Sequence, residues 1–334
     1  MEYPKRHSLV QSEDIVAGAI DDNMVYPLLV WAWSLAHTAQ QSFRIVIGFL
    51  DGELKVSHRE LLGKVLTELS ISHNFLELGQ DERFIRQGHI SPTTFAKFLL
   101  ADALGEAHVW IDVDTAASPG WDDIFAEISS AQKSISLVVA DRGAPGQEGE
   151  ASTETIHSLR FNAGVLGWPK RKRKEWSQML TTMGIVDTQE QALFNTLYGD
   201  ELKIIDESYN TLTYRYDSFA GMTLPKITHY AGAHKPWHLP RRFRKLCVAH
   251  QCPWSVWFVA ERGLLAELRG SSLTSEVLRL KKKALRSGRV RFSRDHSGLL
   301  FLRALGSMGL AGWAIIGIAK PMRSLIPRGT HPLH

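Results

Sequence analysis

Short apolar segments alternate with segments of helical periodicity through the first 240 residues. A buried strand appears as a short run of apolar, often β-branched residues, and an amphipathic helix repeats apolar side chains roughly every 3.6 residues. The pattern predicts strands at Ile15–Ile20, Arg44–Leu50, Val109–Asp112, Ser134–Ala140, Val165–Trp168 and Lys203–Asp206. It predicts helices at Tyr26–His37, Arg59–Leu69, Thr93–Leu104 and Gln189–Tyr198. This alternation indicates an α/β fold in which helices flank a sheet.

Polar segments near the ends of the predicted strands are the first candidates for chemistry, because ligands of open α/β sheets bind at the carboxyl ends of the strands. Four segments stand out: Asp21-Asp22-Asn23, Asp112-Val113-Asp114, Asn162-Ala163-Gly164 together with Gln189-Glu190-Gln191, and His229-Tyr230-Ala231-Gly232. We therefore expect a binding site at this edge of the sheet.

Asp112 and Asp114 follow an apolar strand and are separated by one residue, so both carboxylates can reach a single cation if the strand end bends. Their hard oxygen ligands favour Mg²⁺ or Mn²⁺, which keep coordination positions open for phosphate oxygens. Such a cation would neutralise the charge on a nucleoside diphosphate leaving group. A chain of this length is expected to contain about one such pair by chance, so the pair alone is a weak signal.

His229 is a second candidate ligand, although a lone histidine is more often a hydrogen-bonded structural residue. It ends a short run of alternating apolar and polar residues, and Gly232 and Lys235 follow it. A glycine allows close approach of the backbone to a ligand, and an ammonium group attracts phosphate. The segment could therefore contact a diphosphate.

Composition places the chain among globular proteins, with 44% hydrophobic and 22% charged residues. Acids interrupt the apolar residues of the first thirty positions, so no secretory leader is expected. Cys247 and Cys252 are too few for a disulfide framework, and His250 between them does not complete a zinc site. We expect ordinary reduced thiols.

The net charge of +4 conceals a difference between the two parts of the chain. Residues 239–334 contain eighteen Lys or Arg and four acids, a charge of +14, whereas residues 1–238 contain 21 bases and 31 acids, a charge of −10. A basic segment of this kind favours an anionic partner such as a nucleic acid or a membrane surface. Nothing earlier in the chain resembles a nucleic-acid-binding motif, so nucleic acid is not an expected partner.

Two features of the basic segment favour the membrane surface. Arg279–Arg294 carries eight bases in sixteen residues, and Leu299–Ala319 has a single charge in twenty-one residues. Bases beside an apolar segment are attracted to anionic cytoplasmic leaflets. The apolar segment could lie in the interface, span the bilayer or pack as a buried helix, and the first is the favoured alternative.

Six sequence blocks together resemble glycosyltransferase family 8, which includes bacterial lipopolysaccharide galactosyl- and glucosyltransferases and glycogenin. The blocks are residues 15–23, 89–97, 110–114, 161–166, 189–191 and 229–238. The resemblance implies a GT-A fold, in which a Rossmann-like, nucleotide-binding mixed sheet is flanked by helices. It covers about residues 12–238, and we expect residues 239–334 to form a basic, partly apolar extension.

The resemblance also implies roles for individual residues. Asp112, Asp114 and His229 would be the metal ligands, with Mn²⁺ as the expected cofactor and Mg²⁺ as the alternative. Ala19, Asp21 and Asn23 would line the uridine pocket, and Lys97 would lie beside the donor. Asn162 and Ala163 would contact the donor sugar. Gly232 and Lys235 would contact the diphosphate. Glu190 and Gln191 match the family's Asp-Gln pair at the reacting face of the sugar.

Some positions depart from the family pattern. Met24 stands where related bacterial enzymes carry a tyrosine that stacks on uracil, and Glu190 replaces an aspartate. Lys97 replaces an arginine, and Ala192 stands at the position of a further acid. The donor sugar is therefore open, with UDP-galactose or UDP-glucose favoured.

The family retains anomeric configuration, which in hydrolases proceeds through a carboxylate nucleophile. Gln191 carries an amide, a poor nucleophile, so we favour a front-face substitution in which the departing diphosphate takes the proton of the acceptor. Glu190 is the alternative nucleophile, or it orients the sugar.

The expected acceptor is a glycan or a lipid-linked glycan, and the expected location is cytoplasmic, on the inner face of the cell membrane.

Two other functions fit parts of the pattern. One is a non-catalytic nucleotide-sugar-binding protein on the same fold, since fold alone does not determine chemistry. The other is a sugar-1-phosphate nucleotidyltransferase, which also uses an acidic metal site. That class requires a glycine-rich phosphate loop near the first strand, and Ala17–Asp21 does not supply one.

Overall fold

The structure is a computed structural model that describes residues 13–84, 91–131, 137–140, 161–169, 176–183, 189–198, 201–216, 218–232, 235–239 and 241–294. The strands are β1 (Asp14–Ala19), β2 (Phe43–Leu50), β3 (His73–Leu78), β4 (His108–Ile111), β5 (Thr115–Ala117), β6 (Leu137–Val139), β7 (Val165–Trp168), β8 (Leu202–Ile204), β9 (Thr211–Leu212) and β10 (Ile227–His229). The helices are α1 (Val25–Thr38), α2 (Val56–Glu68), α3 (Ala96–Leu104), α4 (Ile124–Ser129), α5 (Trp176–Met183), α6 (Gln189–Tyr198), α7 (Arg241–Ala249), α8 (Ser255–Glu267) and α9 (Thr274–Arg294). The predicted mixed sheet flanked by helices is confirmed.

Seven of these strands form one sheet in the order β3-β2-β1-β4-β7-β6-β8. The first four strands of this order are parallel, whereas β7 is antiparallel to both of its neighbours. A small second sheet has the order β5-β10-β9. Since β5 begins four residues after β4 ends, the second sheet starts at the carboxyl end of the central strand of the first.

The sequence of β1 and β2 explains their position inside the sheet. Both strands are mostly apolar, and 4 of 6 residues in β1 and 6 of 8 in β2 are buried. Strands of parallel sheets are covered by helices on both faces and therefore have no polar side. Helix α1 lies on one face and is itself buried on most of its circumference. Helices α3 and α6 contribute to a second core on the other face.

The helices after residue 239 pack on the face of the sheet that α1 covers. Helix α8 lies against α1, and α9 lies against α1 and the 3₁₀ turn Pro236–His238. Trp257, Leu264 and Val277 on these helices are fully buried and belong to the apolar cluster of α1. Gly263 of α8 makes room for the Trp33 ring of α1, because a Cβ atom at this position would lie 2.0 Å from that ring.

The division of the chain at residues 238 and 239 stays a prediction. Within the part of the chain that the structure describes, the helices up to Arg294 share the core of the sheet. No helix in that part is sufficiently long and apolar to cross a bilayer. The apolar segment Leu299–Ala319 lies outside the described residues.

Candidate active site

The backbone at the end of β4 fixes the positions of Asp112 and Asp114. The Asp112 N–H donates to the carbonyl of Gly164 at 2.7 Å, and the Asp114 carbonyl accepts from the Tyr230 N–H at 2.9 Å. The Thr115 hydroxyl donates to the Asp112 carbonyl at 2.8 Å. The chain is therefore held on both sides where it passes from the large sheet to the small one.

Strand β10 brings His229 to the two aspartates. One ligand atom from each of Asp112, Asp114 and His229 lies within 4.8 Å of the others. The His229 Nε2 atom is 3.4 Å from an Asp114 carboxylate oxygen, and the imidazole is 3% exposed. The structure thus brings the three predicted metal ligands into one group.

Asn210 determines which nitrogen of His229 faces the aspartates. The Oδ1 atom of Asn210 lies 2.9 Å from Nδ1 of the imidazole. Since a carboxamide oxygen only accepts hydrogen bonds, Nδ1 carries a hydrogen, and Nε2 is the nitrogen that faces Asp114 and could bind a cation. The Asn210 Nδ2 atom donates to the Oδ1 atom of Asn162 at 3.1 Å. One side chain therefore connects the histidine to a predicted donor-sugar residue, and sequence reasoning missed it.

Gly164 is required beside the imidazole. A Cβ atom at this position would lie 2.1 Å from Cε1 of His229 and 2.8 Å from Oδ1 of Asn162. Both distances are far below van der Waals contact, so any side chain would displace the histidine. The glycine of the sequence Asn162-Ala163-Gly164 thus makes room for the predicted metal ligand.

Lys97 is buried between two acids, with 1% of its side chain exposed. Its Nζ atom lies 3.2 Å from Asp112 and 3.2 Å from Glu190. Burial acts to lower the pKa of Lys97, but the two carboxylates outweigh it and raise the pKa. Trp110 adds a hydrogen bond from its indole N–H to Asp112 at 2.7 Å. Lys97 is therefore a fixed cation beside the aspartates.

The two aspartates differ in charge environment. Burial raises the pKa of Asp112, and the neighbouring Asp114 adds to this, although Lys97 opposes it. For Asp114, burial is outweighed by Lys235 and His229, which hold its pKa well below the ordinary range. Lys235 pairs directly with the Asp114 carboxylate and donates to the Tyr230 carbonyl at 2.8 Å. Asp114 is thus a carboxylate in the folded protein.

The predicted uridine residues lie at the carboxyl end of β1. The Asp21 carboxylate is mostly buried and accepts from the Asn23 N–H at 2.9 Å and from the Ser91 hydroxyl at 3.4 Å. Ala19 is the last residue of β1. Because β1 and β4 are neighbouring parallel strands, this corner and Asp112 lie on the same edge of the sheet.

Three further predicted residues are placed near this edge. Ala163 is buried two residues before β7. Gly232 follows β10 with a φ of +94°, a conformation that other residues rarely adopt. Gln191 lies in α6 directly after Glu190, and its side chain is outside the described part of the structure.

A divalent cation fits the group of Asp112, Asp114 and His229. Two carboxylates and an imidazole whose other nitrogen is already hydrogen-bonded supply three ligands, which leaves positions on the cation open for phosphate oxygens. Carboxylate oxygens suit both Mg²⁺ and Mn²⁺, whereas an imidazole ligand favours the transition metal.

The sequence profile of glycosyl transferase family 8 matches residues 15–239, about two thirds of the chain. The chain belongs to this family and is a glycosyltransferase. No curated protein sequence matches it significantly.

Solved structures of glycosyltransferases share the fold of this chain. The galactosyltransferase LgtC in complex with donor and acceptor sugar analogues is 18% identical, with a TM-score of 0.57 over 74% of this chain and 95% of that chain. An active-site variant of LgtC, with glutamate in place of glutamine, is 18% identical, with a TM-score of 0.54 over 71% of this chain and 96% of that chain. The glycosyltransferase GlyE of Streptococcus pneumoniae TIGR4 is 20% identical, with a TM-score of 0.51 over 79% of this chain and 64% of that chain. The predicted GT-A fold is confirmed.

Proposed function

We propose that the protein transfers a hexose, with galactose or glucose favoured, from a UDP-sugar to a glycan or glycolipid acceptor with retention of configuration. The observation that carries this proposal is the group of Asp112, Asp114 and His229 beside Lys97 and Lys235. A cation site flanked by two lysines matches the charge of a sugar diphosphate, and the family membership supplies the reaction class.

The donor would lie along the carboxyl edge of the sheet. In this proposal, Ala19, Asp21 and Asn23 bind uridine at the end of β1, and Gly232 and Lys235 contact the diphosphate. Asn162 and Ala163 contact the sugar near β7. The buried carboxylate of Asp21 can accept a hydrogen bond from an N–H of the base, because carboxylates accept strongly in a shielded site.

Asp112, Asp114 and His229 would hold Mn²⁺, or Mg²⁺ as the alternative, and the cation would supply charge neutralisation for the diphosphate leaving group. The lysines act in the same direction. Lys235 is paired with Asp114. With a cation bound to that carboxylate, the Lys235 ammonium could donate a hydrogen bond to the phosphate oxygens. Lys97 is held in place by its two acids and adds a fixed positive charge.

Glu190 and Gln191 would face the reacting sugar. The ion pair between Glu190 and Lys97 at 3.2 Å supports front-face substitution, because a carboxylate held by a buried ammonium is a poorer nucleophile. In that reaction, the acceptor oxygen bonds to the anomeric carbon while the bond from that carbon to the UDP oxygen breaks, and the acceptor proton passes to a phosphate oxygen. Glu190 then orients the sugar hydroxyls, and covalent attack by Glu190 is the alternative.

The experiment measures UDP release from UDP-galactose and UDP-glucose, with Mn²⁺ and with chelator. We expect metal-dependent release, and we expect the Asp112→Ala variant to lose both release and metal-dependent UDP binding. Asp51→Ala is the matched control, since Asp51 is exposed in a turn after β2. Full activity of Asp112→Ala, or wild-type protein without UDP binding, would contradict the proposal.

The same proposal places the protein on the inner face of the cell membrane, next to a lipid-linked acceptor. What supports it is the sequence of the basic segment, in which Arg289, Arg291 and Arg294 directly precede the apolar segment Leu299–Ala319. The expected result is sedimentation of the full chain with anionic vesicles.

A further inference from the structure

An open groove of about 850 Å³ lies between the start of α2 and the exposed side of α9. It is separate from the cation site. The residues that line it include His58 of α2 and Glu276, Arg279, Lys282, Lys283 and Arg286 of α9. We call it the α2–α9 groove. Its volume is in the range of pockets that bind small ligands.

Four cations in the groove have no acidic partner among the described residues: Arg279, Lys282, Lys283 and Arg286. Glu276 is the one acid among the lining residues. Lys281 differs, because its Nζ atom lies 2.9 Å from the buried carboxylate of Glu261 on α8. Glu261 thus neutralises Lys281, whereas the groove keeps an excess of positive charge.

The spacing of the four cations makes this excess unfavourable without a ligand. Arg279 and Lys283 are four residues apart on one helix, and so are Lys282 and Arg286. Like charges at this spacing repel and destabilise a helix. An anion in the groove would remove the repulsion, so the arrangement fits an anion-binding site.

The groove lies beside the proposed donor site. His58, one of its lining residues, has its Nδ1 atom 2.7 Å from the Asp22 carboxylate. Asp22 follows Asp21, which belongs to the proposed uridine corner. Helix α9 also packs on Pro236–His238, directly after Lys235. A ligand in the groove would therefore border the same edge of the molecule as the donor.

We propose that the α2–α9 groove binds a phosphate-bearing segment of the glycan acceptor. This inference rests on the proposed function. The site is concave between two helices, as sites for small ligands usually are. The lining residues include no Phe, Tyr or Trp on which a nucleobase could stack. Several cations around a space of this size match a phosphorylated sugar.

The probe is glucose 1,6-bisphosphate, titrated calorimetrically into the full chain with UDP and Mg²⁺ in excess so that the donor site is filled. We expect saturable binding that weakens with salt, and no binding of glucose. The variant with Arg279, Lys282, Lys283 and Arg286 all changed to Ser should bind about tenfold or more weakly. Equal affinity for inorganic phosphate would indicate a site for free phosphate and overturn the assignment to a glycan.

The matched control changes Lys64, Lys245, Arg262 and Arg269 to Ser, which removes the same charge from exposed positions outside the groove. We expect less than about a twofold loss of affinity in this variant. Equal losses in both variants would overturn the inference as a general charge effect. A larger loss of phosphatidylglycerol-vesicle sedimentation in the groove variant than in the control would overturn it in favour of a membrane contact.

The measurements distinguish failure of the proposed glycosyltransferase function from failure of the groove assignment. The groove variant should keep metal-dependent UDP release, since none of its changed residues lies in the cation site. The Asp112→Ala variant should lose UDP binding and still bind the bisphosphate. If wild-type protein binds the bisphosphate but releases no UDP, the proposed function fails while the groove stands as an anion site. Release of UDP without saturable bisphosphate binding would overturn the groove alone.

Discussion

Asn210 connects two parts of the candidate active site through one carboxamide, whose oxygen faces His229 and whose nitrogen faces Asn162. Removing it would free the imidazole to rotate and would leave Nδ1 without its acceptor. We expect Asn210→Ala to weaken Mn²⁺ binding by about 10- to 100-fold, the usual effect of losing a partner of a metal-bound histidine. Titration of Mn²⁺ by electron paramagnetic resonance measures this. Asn74→Ala, at an exposed position of β3, is the control and should leave the affinity unchanged.

Gly164 gives a second prediction for the same histidine. The Cβ atom of Gly164→Ala would fall 2.1 Å from the imidazole, so His229 must move or the strand ends must separate. We expect a stability loss of about 1–3 kcal/mol together with weaker Mn²⁺ binding. Gly79→Ala is the control, because a Cβ atom there meets nothing within 4 Å. Urea unfolding and Mn²⁺ titration of both variants check the prediction, and equal behaviour would contradict it.

The sequence indicated Asp112, Asp114 and His229 because strand ends, residue spacing and the family resemblance all mark those positions. Asn210 carried no such signal. It lies in the 3₁₀ turn Glu207–Asn210, and its contact to His229 spans nineteen positions of the chain. Such a contact depends on how β9 and β10 pair, which a hydrophobic pattern does not specify.

At the scale of secondary structure, the pattern predicted six strands of the large sheet and helices α1, α2, α3 and α6, and it missed β3, the short strands of the second sheet and the other helices. β1, β2, β4, β6, β7 and β8 lie at or near their predicted positions, because buried strands are continuous apolar runs. β3 was missed because it is an edge strand whose side chains are mostly half-exposed or exposed. The short strands β5 and β9 have two or three residues, too few for a period to appear.

Helices α1, α7, α8 and α9 are joined by one buried acid. Glu261 on α8 accepts from the Tyr26 hydroxyl at 2.7 Å, pairs with Arg244 and lies 2.9 Å from Lys281. Burial raises the pKa of Glu261, but the two cations outweigh it and lower the pKa. These partners come from distant parts of the chain, so their convergence could not be predicted from local pattern.

We expect Glu261→Gln to cost about 3 kcal/mol of unfolding free energy at pH 7, because it leaves Arg244 buried without its acid. A carboxyl whose pKa is lowered by folding stabilises the protein above its ordinary pKa near 4.5, and this contribution is lost as the pH falls through the folded value. The difference between variant and wild type should therefore shrink in acid. Urea unfolding at pH 7 and at pH 4 measures it. Glu267→Gln is the control, since Glu267 accepts from Trp33 at an exposed position of the same helix.

For the whole molecule, the position in the sequence where the net charge changes sign does not coincide with the end of the apolar core. The charge changes sign near residue 239, and the family profile ends there. The apolar core continues through α8 and α9, where Trp257 and Val277 cover α1. The basic segment therefore has two parts, helices that complete the fold up to Arg294 and residues 295–334 beyond them.

Two truncations separate these parts. A chain ending at Leu239 would expose the face of α1 that α8 covers, so we expect it to be unfolded or aggregated by circular dichroism. A chain ending at Arg294 keeps every element of the described core, so we expect cooperative unfolding and metal-dependent UDP release close to those of the full chain. If Leu299–Ala319 lies in the membrane interface, this longer chain should sediment less with anionic vesicles than the full chain does. Unchanged sedimentation would place membrane binding elsewhere, and loss of folding would show that residues beyond 294 belong to the core.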